Sequence, residues 1–238
     1  MKALHLILIL VGCSLAPPSP AEGLKWPEQR VPPAALKYLP VLKQQTELQF
    51  PEWPYGWYVA AQVEQETCYS ATHSKCFNPY AELKTSREYG FGIGQTTIAY
   101  DKFGKERFNN FNEAKKLPGV STWQWENRYD FNMQLTVLLQ SMKINWYKTQ
   151  NLAEDETSHI AMALNTYNGG YGGLQQDREL CRRTSGCNPN VWYGNVELYS
   201  TKTKVVNPGY GGSAFTISRE YPHNIMHRRS DKYEIFWH

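Results

Sequence analysis

The chain predicts a mainly α fold with long irregular loops. Three observations point there. Apolar residues recur at intervals of three and four along several segments, strict alternation is scarce, and glycine and proline cluster between the periodic stretches. At 238 residues the chain is long enough for one sizeable hydrophobic core. A formal charge of +3 is mild. No basic stripe accompanies it, which argues against a nucleic-acid partner. Tyr and Trp are abundant, at 16 and 8. Most are expected in packing, with a minority left to stack on a flat apolar ligand face.

The N-terminus reads as an export segment over residues 1–12. Lys2 precedes a short apolar run from Leu4 to Val11, too short to span a bilayer as a mature helix. The run ends in Leu10-Val11-Gly12-Cys13, which resembles a bacterial lipobox with Cys13 as the lipidated first mature residue. Cleavage after Ala16 is the rival, disfavoured by Pro17. A lipid on Cys13 implies an exported, membrane-anchored protein. In a Gram-negative cell, Ser14 fits the outer membrane, facing the periplasm. Five cysteines are odd for an exported chain. With Cys13 lipidated, four remain as two local pairs, Cys68 with Cys76 and Cys181 with Cys187, each bridge contributing roughly 2 kcal/mol. The other two connectivities join distant segments and stay open.

Nine of the 14 prolines fall between Pro17 and Pro54. Residues 13–50 therefore read as a proline-rich tether ending in a short packing segment around Ala34 to Leu42. A domain is expected over 51–210. Its first helix carries Val59, Val63 and Glu66 on one side. A long helix is expected from Trp123 to about Tyr147, capped by Ser121 or Thr122, with Leu135, Leu138 and Met142 inward. Another runs from about Glu156 to Tyr167, capped by Asp155 and stopped by Gly169-Gly170. The two Gly-Tyr-Gly-Gly segments, at Gly170 and Gly209, read as turns. Thr216 to Ser218 is a candidate strand. Residues 211–238 read as a solvated tail without an assigned role. His223 and His227 there lack nearby carboxylates to complete a metal site, so no metal is expected.

Three fragments carry chemistry. Glu66 ends its helix on the apolar side, where a dry carboxyl keeps its proton near neutral pH. Glu64, roughly 200° round the helix, points elsewhere. Ser86 to Gln95 then places Gly90, Gly92 and Gly94 before a glutamine, and these glycines permit close backbone approach. It lacks the Gly-Lys-Ser/Thr ending of a phosphate loop. Last, Thr166-Tyr167-Asn168-Gly169-Gly170 offers a phenol for a carboxyl and an amide for a sugar.

Taken in order, these fragments resemble the soluble lytic transglycosylase family, relatives of goose-type lysozyme. Glu66-Thr67 stands at the family's Glu-Ser. Phe77-Asn78-Pro79 is similar to its Phe-Asn-Pro, and Ser86 to Gln95 to its Ser…Gly-Leu-Met-Gln. Tyr167-Asn168-Gly169-Gly170 is similar to its Tyr-Asn-Ala-Gly, and Trp192 to Tyr199 to its groove-closing aromatic segment. The likeness covers about residues 55–200. Thr67 keeps the hydroxyl, Ile93-Gly94 replaces Leu-Met, and an insertion lies between Cys68 and Cys76.

The resemblance implies a lysozyme-like helical domain acting on peptidoglycan. Glu66 would be the single catalytic acid and base. Tyr167 would orient it, and Ser86, Gln95 and Asn168 would hold sugar amides and hydroxyls. The product would be a 1,6-anhydro sugar, with no cofactor and no metal. A hydrolytic lysozyme needs a second carboxylate, for which Glu88 and Asp101 are candidates. A non-catalytic glycan-binding lipoprotein and an envelope-complex component are the other readings.

Overall fold

The computed structural model describes residues 30–207 and 211–238. The export segment, Cys13 and the tether to Gln29 lie outside the described residues, as do Gly209 and Tyr210. About half of the described residues are helical. Two helices, α1 (Pro33–Leu36) and α2 (Leu39–Gln49), precede α3 (Tyr58–Thr67). Four strands follow: β1 (Glu82–Lys84), β2 (Glu88–Phe91), β3 (Thr96–Tyr100) and β4 (Glu106–Asn109). They pair antiparallel in the order β1-β2-β3-β4. Next come α4 (Asn110–Ala114), α5 (Phe131–Thr149), α6 (Glu156–Gly169) and α7 (Tyr171–Arg182). A small ladder, β5 (Val206–Asn207) with β6 (Gly212–Ser213), leads to α8 (Ala214–His223), a π-helical turn over Asn224–Arg229, and α9 (Asp231–Glu234). Among the described residues no helix is long and apolar enough to cross a membrane.

The main core packs α2, α3, α5, α6 and the C-terminal segment around Leu42, Val59, Val63, Leu138, Leu164 and Ile225. A smaller core lies under the sheet, where Phe91, Phe111, Val120 and Trp123 meet Val137 of α5. Both disulfides form as expected, Cys68–Cys76 and Cys181–Cys187.

Residues 211–238 are not a solvated tail. Tyr221, Ile225, Met226 and Tyr233 enter the main core. The isolated positions of these apolar residues conceal this, because Pro222 and the π turn break the helical period. Proline has no N–H to give the carbonyl four residues back. That carbonyl, on Ser218, instead accepts a bond from buried Asn165 Nδ2 at 3.0 Å. The wider π turn then brings Arg229 to Glu64 at 2.9 Å, with Lys232 at 2.8 Å and the Tyr233 hydroxyl at 2.5 Å. Glu64 is fully buried and closes the C-terminal segment onto α3.

Other boundaries also move. The long helix begins at Phe131, capped by Asp130, which accepts from Met133 N. Residues 123–130 instead fold over the sheet, where Trp123 is wholly buried. Asp155 caps α6 as read, and Gly170 ends it at φ 78°. Gly170 to Gly173 opens α7 rather than making a turn, and Thr216 to Ser218 lies in α8 rather than in a strand. The sheet escaped the sequence reading because its strands are only three to five residues long.

Glu64→Gln is expected to lower unfolding stability by about 3–5 kcal/mol, because it leaves Arg229 and Lys232 buried against a neutral amide. Urea denaturation measures the change; a loss under about 1 kcal/mol would mean the contact does not hold the C-terminal segment.

Candidate active site

Glu66 sits in the last turn of α3, two residues past Glu64. It remains partly accessible while its carboxyl is surrounded by protein. Burial pushes its pKa up from 4.5 to about 7, and a hydrogen bond from Tyr221 opposes part of the rise. The Tyr221 hydroxyl donates to Oε1 at 2.5 Å. Gln62, one turn earlier on α3, donates to that hydroxyl from Nε2 at 3.1 Å. The phenol is thus held between an amide donor and a carboxyl acceptor. Its own pKa lies well above 10, chiefly through burial, so Tyr221 acts as a fixed donor. No other carboxylate contributes to the shift at Glu66, whose causes are burial and Tyr221 alone.

The glycine-rich loop lies across from this pair. Tyr167, at the end of α6, donates to the Gly94 carbonyl at 2.7 Å. Its ring lies nearly parallel to that of Tyr221, at 12° with centroids 6.3 Å apart. A Cβ at Gly94 would come within 2.8 Å of the Tyr167 hydroxyl, and one at Gly92 within 2.5 Å of the Gln134 amide. Gly92 also has φ +79°, which favours glycine. Both positions therefore need glycine to let side chains of α5 and α6 grip the loop. Gln134, buried on α5, accepts from Ile93 N at 2.9 Å and donates to Pro79 O and Arg128 O. It is the strut that fixes the loop, and nothing in its sequence neighbourhood marks it out.

On the other side of Glu66 the Thr67 hydroxyl donates to Val63 O at 2.6 Å and accepts from Phe77 N at 3.0 Å. The Cys68–Cys76 bridge closes the inserted loop between them. The insertion thereby returns Phe77 directly beside the helix end, with Phe77 buried.

The expected site residues divide clearly. Glu66, Tyr167 and the Gly92–Gln95 loop come together. Tyr167 does not bond Glu66 as expected; it holds the loop, and Tyr221 orients the carboxyl. Gln95, at φ 45°, uses its amide nitrogen on Gly92 O at 2.9 Å and Ala81 O at 3.5 Å. Asn168 is exposed next to Tyr167. Ser86 is exposed in the turn between β1 and β2, at the opposite end of the hairpin from Gly92. The whole of β2, four residues and roughly 13 Å long, lies between them, so Ser86 stands away from the loop that Tyr167 holds. Glu88 sits at that same far end, paired with Ala99. Asp101 accepts from Phe103 N and Lys105 N within its own turn. Trp192 is wholly buried in the main core rather than on a groove wall. The His223 and His227 rings are tilted against each other with centroids 5.1 Å apart, and His227 meets the Tyr193 hydroxyl at 3.0 Å. Among the described residues no group of three or more His, Cys, Asp or Glu is placed to hold a metal ion.

Tyr221 is the partner of Glu66 that sequence reasoning missed. The only signal was its presence in an otherwise unassigned segment. No family model matches the chain, and no curated protein sequence matches it.

The Glu66 proton has a stability consequence. The unfolded chain loses it near pH 4.5 and the folded chain near 7, so the folded state holds more protons between those values and stability falls as pH rises through that window. Glu66→Gln is therefore expected to match the parent at pH 4 and to exceed its stability at pH 8 by up to about 3 kcal/mol. Denaturation at both pH values tests it, and a variant equally stable at both would place Glu66 in a wet environment.

Proposed function

We propose that the chain is a peptidoglycan lytic transglycosylase built on a lysozyme-like helical domain. It would cleave the β-1,4 bond between N-acetylmuramic acid and N-acetylglucosamine. The observation that carries this reading is Glu66: one carboxyl with its pKa raised to about 7, on a partly accessible residue, held by Tyr221 beside a glycine-rich loop. The ordered likeness of Glu66-Thr67, Gly92 to Gln95 and Tyr167-Asn168 to the family's motifs supports it.

In this reading protonated Glu66 gives its hydrogen to the glycosidic oxygen as the bond to the anomeric carbon breaks. The bonding pair leaves with that oxygen. The neighbouring N-acetyl group supports the developing positive charge, so no second carboxylate is required. The Glu66 carboxylate then takes the proton of the muramic 6-hydroxyl as that oxygen closes on the anomeric carbon. A 1,6-anhydro end forms, no water is consumed and Glu66 is protonated again. Tyr221 strengthens its hydrogen bond as charge appears on Glu66, stabilising the carboxylate between the two steps. Tyr167 keeps the Gly94 carbonyl in place, and the exposed Asn168 amide beside it would meet the sugar. No cofactor enters.

Glu88 and Asp101, the second carboxylates considered for hydrolysis, sit at the end of the sheet away from the Gly92 to Gln95 loop, which favours this outcome over hydrolysis. Export, anchoring through Cys13 and a place on the outer membrane facing the periplasm belong to the same proposal, as does any partner in the envelope.

Mass spectrometry of digested peptidoglycan tests the reaction. Anhydromuramic ends are expected; reducing ends alone would make the protein a lysozyme. Glu66→Gln is expected to lower wall cleavage at least 10²-fold while glycan binding persists. Cleavage should also fall as pH rises through about 7, because the acid form of Glu66 is lost. Tyr221→Phe removes the bond that favours the charged carboxylate, so this basic limb should move to higher pH. An unmoved limb would separate Tyr221 from the acid.

A further inference from the structure

The sheet carries a cavity of about 490 Å³, within the usual size of small-ligand sites. Lys84 pairs opposite Tyr89 across β1 and β2, so Glu82, Lys84 and Tyr89 share one sheet face. Tyr100 from β3 joins them, and Trp125 and Arg128 from the segment before α5 complete the walls. The cavity adjoins the site already described. Ala81, the residue before Glu82, accepts from Gly92 N at 2.9 Å and from Gln95 Nε2 at 3.5 Å through its carbonyl.

Its polar groups are rigid. The Arg128 guanidinium lies between the Trp125 and Tyr129 rings, at 4.4 and 4.3 Å from their centroids. It donates to Trp125 O at 3.0 Å and to the Tyr129 hydroxyl at 2.9 Å, using two of its five N–H groups. Glu82 accepts from the hydroxyls of Tyr129 and Tyr89, both on Oε1. These bonds hold its carboxyl below the usual range, Tyr129 most strongly. Lys84 reaches over Tyr89, 5.9 Å from the ring centroid. Two cations against one carboxylate leave a net positive charge, and an arginine already immobilised loses little freedom on pairing with a planar anion.

We propose that this cavity binds a sugar bearing a carboxylate, of the N-acetylmuramic acid type. Lys84 and Arg128 pair with the carboxylate, Glu82 accepts from ring hydroxyls, and Tyr100 and Trp125 flank the apolar face of the ring. The choice of muramic acid rests on the function proposed above; the preference for a carboxylate rests on the charges of the cavity. Together they would give the protein a hold on the glycan apart from the bond being cut.

The test uses the full chain carrying Glu66→Gln, so that no glycan is consumed. N-acetylmuramic acid and N-acetylglucosamine are titrated separately, with amide resonances of Glu82, Lys84 and Tyr100 followed by NMR. The two sugars differ at the lactyl carboxylate. N-acetylmuramic acid is expected to move these resonances and to bind at least tenfold more tightly than N-acetylglucosamine. Lys84→Met, a change at an exposed side chain, is expected to erase most of that tenfold difference. Equal affinity for the two sugars, unmoved sheet resonances, or an undiminished preference in Lys84→Met would each overturn the inference. Wall cleavage by the parent protein is scored in parallel. Cleavage without sugar binding at the sheet removes this site and leaves the enzymatic reading; carboxylate-selective binding without cleavage supports the site and removes that reading.

Discussion

The contact on which the rest depends is the buried meeting of Glu64 with Arg229, Lys232 and Tyr233. Glu64 is fully buried and its cations nearly so. A buried charge group of this kind gives little net stability over an apolar alternative, yet breaking it is costly. Its consequence here is positional. It fixes the last segment of the chain against the first helix of the main core. Tyr221, two turns upstream of Arg229, is thereby delivered to Glu66. Without that closure the acid would have no hydrogen-bond partner and more water around it.

Two glutamates separated by one residue thus serve opposite ends. Helical geometry turns them to different sides of α3. Glu64 meets cations and becomes a fastening. Glu66 meets apolar surroundings and a neutral phenol, which leaves its proton on near pH 7. The raised pKa of Glu66, caused by burial, is the physical basis of the acid role proposed for it. Tyr221 and Tyr167 extend the arrangement. Both phenols are buried and hard to ionise, so one serves as a fixed donor to the acid and the other to the loop opposite.

Much of the site was legible in the chain. Helix periodicity and the dry flank of Val59 and Val63 pointed to Glu66, and the run of glycines before Gln95 marked a loop that other groups approach closely. The reason for those glycines became visible only in space: Gln134 and the Tyr167 hydroxyl occupy the room a Cβ would take. Local rules also succeeded at Asp155, whose side chain accepts from Ser158 N, and failed at Ser121 and Thr122. There the burial of Trp123 in the small core outweighed the helical pattern and delayed the helix to Asp130. The sheet was missed because its strands are short and half exposed, so no alternation builds up over enough residues to register.

Sequence alone determined the mainly helical character, the order of the singled-out fragments and the placing of Glu64 and Glu66 on different sides of one helix. These follow from periods of three to four residues and from chain order, which need no knowledge of distant neighbours. Tertiary structure decided the rest. It replaced Tyr167 by Tyr221 as the partner of the acid, left Ser86 at the wrong end of a hairpin, and turned an apparent tail into part of the core. The first and last of these depend on contacts more than 70 residues apart in sequence, with Glu66 and Tyr221 separated by 155 and Glu64 and Tyr233 by 169. Such contacts are set by how helices pack after Pro222 interrupts the last one, and no local pattern records that geometry.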